Sequence, residues 1–173
     1  MSGNPFQSTV PAMRILENEH RYLSYLMNEW HTIVLNLQSF KYGIEQARQE
    51  FTRLRQLIDA FKVTFEQHTK KEERFFFPLL GKFIGYEQGP LVSIEHEHEE
   101  ITAYLEHFLY HSAGEHSYSF SEMSTISRDA GEAFEILTIH FVKEESILFP
   151  MTVQVMSEAD QHALSQQLHT LII

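Results

Sequence analysis

The chain contains no cysteine. Disulfides, thiolate-bound zinc, cysteine-ligated iron–sulfur clusters and a thiol nucleophile are thereby excluded, and any metal chemistry has to run on nitrogen and oxygen ligands. Glycine (7) and proline (5) are scarce in 173 residues, and 43% of the residues are hydrophobic. That composition excludes disordered, collagen-like and proline-rich linker proteins. Long apolar runs are also missing, since nothing approaches the ~20 residues of a membrane span. The opening Met1-Ser-Gly-Asn-Pro has neither the basic nor the apolar region of a signal peptide. A cytoplasmic location without a membrane partner is therefore expected. Positive charge is short: 13 Lys and Arg stand against 24 Asp and Glu, a net of -11. Such a surface repels phosphate backbones, so no nucleic-acid partner is expected. Against these absences stand 11 histidines. A chain of this length folds as one domain, residues 1–173, that buries roughly 70% of its unfolded surface.

Apolar residues recur at intervals of three and four with no sustained two-residue alternation, which predicts an all-α protein. Ser8 and Thr9 before Pro11 suit a helix start, and Met13, Leu16, Leu23, Met27, Trp30, Val34 and Leu37 form one stripe over about 10–39. After a break at Phe40 to Gly43, Phe51, Leu54, Ile58, Phe61, Phe65, Phe76 and Leu79 mark a second helix ending near Phe83. Gly85 and Gly89-Pro90 punctuate the next turn. A third helix runs from about Leu91 to His111, and the polar stretch Ser112 to Ser121 reads as the longest loop. A fourth helix reaches about Met156. Ser157-Glu-Ala-Asp160 resembles a capping box that opens a fifth helix carrying Ala163, Leu164, Leu168 and Leu171. Short connections favour an up-down-up-down four-helix bundle over about 10–156 with a short C-terminal helix at about 158–171.

Two stretches repeat in frame: His68-Thr-Lys-Lys-Glu72-Glu-Arg-Phe-Phe-Phe-Pro78 and His140-Phe-Val-Lys-Glu144-Glu-Ser-Ile-Leu-Phe-Pro150. Residues i and i+4 share a helix face, so each His-x-x-x-Glu offers an imidazole and a carboxylate to one centre. The same stripe holds Phe61, Phe65, Phe75, Phe76 and Leu79 around His68, and Ala133, Ile136, Leu137, Ile147 and Leu148 around His140. Lys70, Lys71, Arg74 and Lys143 are expected to face water. A carboxylate in an apolar stripe is costly unless it is paired or bound to a cation, and two arrive here with a histidine each. Glu19-His20 on the first helix and Glu97-His98 on the third form a second repeat, as after internal duplication of a two-helix unit. At ~1.5 Å rise per residue, His20, His68, His98 and His140 all fall roughly 12 to 15 Å from the same bundle end. Four imidazoles exceed the need of one zinc, and Glu72 and Glu144 are placed to bridge two ions ~3.5–4 Å apart. Nitrogen and oxygen donors suit iron or manganese.

The paired HxxxEExxxFP frames after two EH helices resemble the hemerythrin-like HHE cation-binding family over residues 10 to about 156. The resemblance implies an oxo-bridged di-iron centre on His20, His68, Glu72, His98, His140 and Glu144. Manganese or zinc is the alternative metal. The segment Gly89 to His98 looks like that of members that assist iron–sulfur repair, but a Cys-bearing extension is absent. The family's oxygen carriers have His-x-x-x-His on the third helix, whereas His98 has Thr102 after it and Ile94 before it at that spacing.

The function that follows from the resemblance is binding or sensing of a diatomic, dioxygen or nitric oxide, or iron handling under oxidative or nitrosative stress. The alternatives are a di-iron oxidase or peroxidase, an iron–sulfur repair accessory enzyme, and a metal-stapled structural or interaction bundle. The expected partners are a diatomic or peroxide, with the chain a monomer or homodimer. His31 is ~16 Å along the helix from His20 and lies outside the ligand set. His107 and His111 read as solvated polar face, with a surface metal pair as the alternative. Glu17 and Glu95, each three residues before a ligand histidine, read as solvated surface, with orientation of an imidazole as the alternative.

Overall fold

The computed structural model describes residues 8–87 and 89–169, and among them the secondary structure is helical throughout, with no strand. The elements are α1 (Pro11–Gln38), α2 (Ile44–Lys71), a π-helical turn π1 (Glu72–Phe76), α3 (Phe77–Ile84), α4 (Pro90–His111), α5 (Phe120–Lys143), π2 (Glu144–Leu148), α6 (Phe149–Val155) and α7 (Glu158–Leu168). The all-α expectation holds, with four long helical stretches and a short C-terminal helix. Leu171, expected in the last helix, lies outside the described residues. No described helix is long and apolar enough to cross a membrane.

Local chemistry sets the helix ends. The Val10 N–H donates to Ser8 Oγ ahead of Pro11. α1 stops at Phe40, which adopts a left-handed conformation (φ 55°), while the Lys41 N–H returns to the Asn36 carbonyl. This is the six-to-one closure of a Schellman motif, formed here without glycine. Gly85 (φ 83°) ends α3, a conformation that glycine adopts without strain. Ser119 and Glu122 form a reciprocal capping pair before α5, and Ser157 with Asp160 does the same for α7. Ser119 sits inside the stretch expected to be loop, and α5 starts at Phe120.

The larger departure lies after each His-x-x-x-Glu. The second and fourth helices do not continue as α-helix but pass through π turns, in which the Phe77 N–H bonds to the Glu72 carbonyl and the Phe149 N–H to the Glu144 carbonyl. Pro78 and Pro150 explain the position. Each lacks the N–H that an α-helix would direct four residues back, and its ring crowds that carbonyl. A widened turn just upstream relieves the conflict by absorbing one extra residue. The phase of the apolar stripe shifts accordingly. Phe76, Phe77 and Leu80 are buried in place of the expected Phe75, Phe76 and Leu79, and Leu148 and Phe149 are buried while Ile147 is 48% exposed.

The chain divides into two compact units, and α1, α2, α4 and α5 each contribute residues to both. The first comprises the beginning of α1, residues 66–97 and residues 139 onward. Its apolar core joins Met13 and Leu16 of α1, Phe76, Phe77 and Leu80, Leu91 and Ile94 of α4, Leu148 and Phe149, and Leu164 and Leu168 of α7. The second comprises residues 23–65 and 98–138. Its core is aromatic, with Trp30 edge-on to Phe61 at 4.6 Å, Phe61 stacked on Phe65 and Phe51 against Phe108.

Because Leu164 has no exposed surface within the first unit's core, Leu164→Ala is expected to cost about 2–5 kcal/mol. Urea denaturation measures it, and a loss below about 1 kcal/mol would show that α7 is not integral to that core.

Candidate metal centre

Five of the expected ligands, His20, His68, Glu72, His140 and Glu144, fall in the first unit, and the fold brings them together. His20 leaves the buried face of α1. The other four are the His-x-x-x-Glu pairs at the ends of α2 and α5, each Glu opening a π turn. His20, His68, Glu72 and Glu144 each offer one donor atom, all within 4.8 Å of one another. His68 Nε2 lies 2.5 Å from Glu72 Oε1, and His140 Nε2 lies 2.5 Å from Glu144 Oε1. His20 Nε2 is 3.1 Å from His68 Nε2 and 3.3 Å from Glu144 Oε2. All five side chains are at most 2% exposed. His98, the sixth expected ligand, belongs to the second unit, where it is buried and edge-on to Phe65 at 5.9 Å.

The outward nitrogens of the three imidazoles share one arrangement. His68 Nδ1 meets Glu19 Oε1 at 3.2 Å, His140 Nδ1 meets Glu97 Oε2 at 2.8 Å, and His20 Nδ1 meets Glu145 Oε1 at 3.0 Å. A carboxylate only accepts, so each Nδ1 donates a proton to one, and Nε2, which faces the buried carboxylate of Glu72 or Glu144, is the nitrogen that a metal ion would take in exchange for a proton. The second oxygens of Glu19 and Glu97 bind Lys71, at 2.9 Å, and Lys143. These lysines were expected to face water. They neutralise the carboxylates that orient the histidines instead, with Lys71 only 17% exposed.

Glu17 is not the solvated surface group expected, and its hydrogen bonds go to the backbone of Ser8. Glu17 is buried and accepts the Ser8 N–H through both carboxylate oxygens, at 3.0 and 3.2 Å. Glu95 accepts from the Tyr86 hydroxyl. The orienting residues are Glu19 and Glu97, each immediately before a histidine, together with Glu145. The sequence signal for the first two was the Glu-His dipeptide repeated in both halves: on a helix the two side chains diverge by ~100°, so one can enter the cluster while its neighbour reaches another helix.

Aromatic rings wall the cluster. Phe141 stacks on His20 at 4.1 Å and meets His68 edge-on at 6.3 Å, and Phe149 lies along the His20 ring at 5.6 Å. Phe76 and Phe77 pack in the apolar core, and the rings on these histidines are Phe141 and Phe149. Phe141 carried no repeat signal, since Thr69 stands at its position in the first frame.

The electrostatics match a cation site. Burial alone would lower the imidazole of His140, but the charge and hydrogen bond of Glu144, followed by Glu97, raise it to about 10. His20 is raised in the same way, burial being outweighed by Glu144 and Glu145. For Glu19 and Glu97 burial is outweighed by their imidazole and lysine partners, and both titrate below the ordinary carboxylate range. Burial, followed by repulsion from Glu145, raises Glu17 despite its hydrogen bond to Ser8. The donor set fits a metal: inward imidazole nitrogens and fully buried carboxylates gathered within reach of one ion, with nitrogen and oxygen chemistry suited to iron, manganese or zinc.

Glu19→Gln and Glu97→Gln are expected to lower metal affinity by about 10–100-fold while every proposed ligand stays in place. Glu17→Gln, which changes a carboxylate that bonds to Ser8 and to no imidazole nitrogen, is expected to change it by much less. Competition with a chromophoric chelator measures all three, and equal effects from Glu17 and Glu19 would refute the assignment of orienting residues.

Comparison with curated proteins finds no match. The model of one family, the hemerythrin HHE cation binding domain, matches residues 11–152, which contain all six expected ligands and both repeated frames. On that match over most of its length, and with a buried His/Glu cluster able to hold a metal, the chain belongs to the hemerythrin HHE cation-binding domain family.

Proposed function

We propose that His20, His68, Glu72, His98, His140 and Glu144 hold a pair of non-haem iron ions, and that the protein binds or senses a diatomic molecule such as dioxygen or nitric oxide. The observation that carries this reading is the placement of three buried histidines, each with Nδ1 on an outer carboxylate and Nε2 on the buried carboxylate of Glu72 or Glu144. Bound iron supplies redox activity and open coordination positions for a small ligand. The chain does the rest. Glu19, Glu97 and Glu145 hold the imidazole protons at Nδ1. Glu72 and Glu144 offer negative charge with no exposed surface. Phe141 and Phe149 exclude bulk water from His20, which strengthens every electrostatic contact inside.

His98 enters this set from the sequence, as the counterpart of His20 in the repeated Glu-His pairs. The residue four before it, Ile94, packs in the apolar core, so this helical turn adds no second histidine on that side. Four nitrogen ligands favour sensing a diatomic, or handling iron under oxidative or nitrosative stress, over reversible carriage.

Metal analysis of protein reconstituted with ferrous iron is expected to give about two ions per chain, with near-ultraviolet charge-transfer absorption that changes reversibly with nitric oxide or dioxygen and shifts with azide. Fewer than about one iron per chain, or full occupancy by manganese or zinc in preference to iron, would overturn the di-iron reading. Catalytic consumption of peroxide in place of a stoichiometric spectrum would replace the binder with an oxidase or peroxidase. His140→Ala is expected to lose at least one ion, and retention of both would show that the ligand set is wrong.

A further inference from the structure

The second unit carries a histidine pair that the buried centre does not use. His107 and His111 lie one turn apart on α4, both exposed, with their Nε2 atoms 2.9 Å from each other and ring centroids 4.2 Å apart. His107 Nδ1 donates to Asp129 Oδ2 on α5, so the His107 proton sits at Nδ1 and the Nε2 lone pair faces His111. Tyr110 packs edge-on against the His111 ring at 5.1 Å.

We propose that His107 and His111 form a surface site for one divalent transition-metal ion of the copper or zinc class, with Asp129 as the residue that positions His107. Imidazoles at i and i+4 stand on one face of a helix at a separation that a single ion spans. Two nitrogen donors select borderline metals, with Cu²⁺ highest in affinity, over Mg²⁺ and Ca²⁺, which need oxygen cages. The carboxylate on Nδ1 fixes the tautomer and raises the basicity of the inward nitrogen. The buried pair His20 and His68 shows the same Nε2 to Nε2 approach, at 3.1 Å. The surface pair differs in being exposed, so it exchanges metal with solvent directly, and the net charge of -11 draws cations to it. The competing arrangement, a hydrogen bond from His111 to His107, uses the same two nitrogens and gives way when His111 changes tautomer.

The test is titration of the full chain as purified with Cu²⁺, followed by calorimetry and by electron paramagnetic resonance. One exchangeable equivalent is expected, with hyperfine coupling to two imidazole nitrogens. His111→Ala should weaken it by about tenfold or more and leave one coupled nitrogen, and Asp129→Asn should weaken it by about tenfold with both nitrogens retained. The two histidines are exposed and Asp129 is half-buried, so thermal stability should change little, which separates lost ligation from lost folding. A His107→Ala/His111→Ala variant that keeps the wild-type affinity and two-nitrogen signal would overturn the proposal. So would an Asp129→Asn variant indistinguishable from the wild type, for the positioning role.

Discussion

Glu72 and Glu144 are carboxylates with no exposed surface, on helices whose other buried residues are mostly apolar. Burying one such charge without compensation costs several kcal/mol, and two close together cost more. Much of the first unit is arranged around that requirement. The nearest groups are imidazoles, whose other nitrogens are held by Glu19, Glu97 and Glu145, and two of those carboxylates are in turn met by Lys71 and Lys143. Charge alternates outward from the centre in shells, negative to imidazole to negative to positive, until it reaches solvent. A cation at the middle would complete this alternation.

Periodicity and spacing made the helices and the ligand pairs legible before any coordinates, for identifiable reasons. A buried helix face declares itself in three- and four-residue intervals, and a glutamate on such a face is rare enough that two in register carry information. The frame around His68 and that around His140 supported each other, so neither rested on a lone motif. The capping box at Ser157 was legible for the same reason of short range. What stayed hidden was long range or depended on rotamer. Whether Lys71 faces water or bends to Glu19 is a choice between two solvated-looking options on one helix surface, and only the neighbouring helix decides it. Glu17 and Glu19 are both near His20 in sequence, and only the packing of the N-terminal Ser8 segment gives Glu17 a different partner.

The π turns mark another boundary of what linear spacing can convey. An α-helical stripe drawn through His68 and Glu72 leads to Phe75, Phe76 and Leu79, and it fails by one residue beyond Glu72. The cause, Pro78, was visible in the sequence. Its effect on the phase was not, because a proline inside a helix can be absorbed by a kink, a break or a widened turn, each placing the following residues differently. The second frame, with Pro150, resolved the same conflict in the same way. An identical answer to an identical conflict is what duplicated segments would give.

The widened turns also divide each ligand helix into two stretches with separate obligations. Upstream of the turn, rotation about the helix axis is dictated by where an imidazole nitrogen must aim. Downstream, it is dictated by how Phe76 and Phe77, or Leu148 and Phe149, fill the apolar floor of the unit. A continuous α-helix would bind these two orientations together, and any improvement in one would misalign the other. With a residue of slack between them, sequence drift in the floor can be accommodated without turning the metal-facing side chains, so selection can act on the chemistry and on the packing of each frame almost independently.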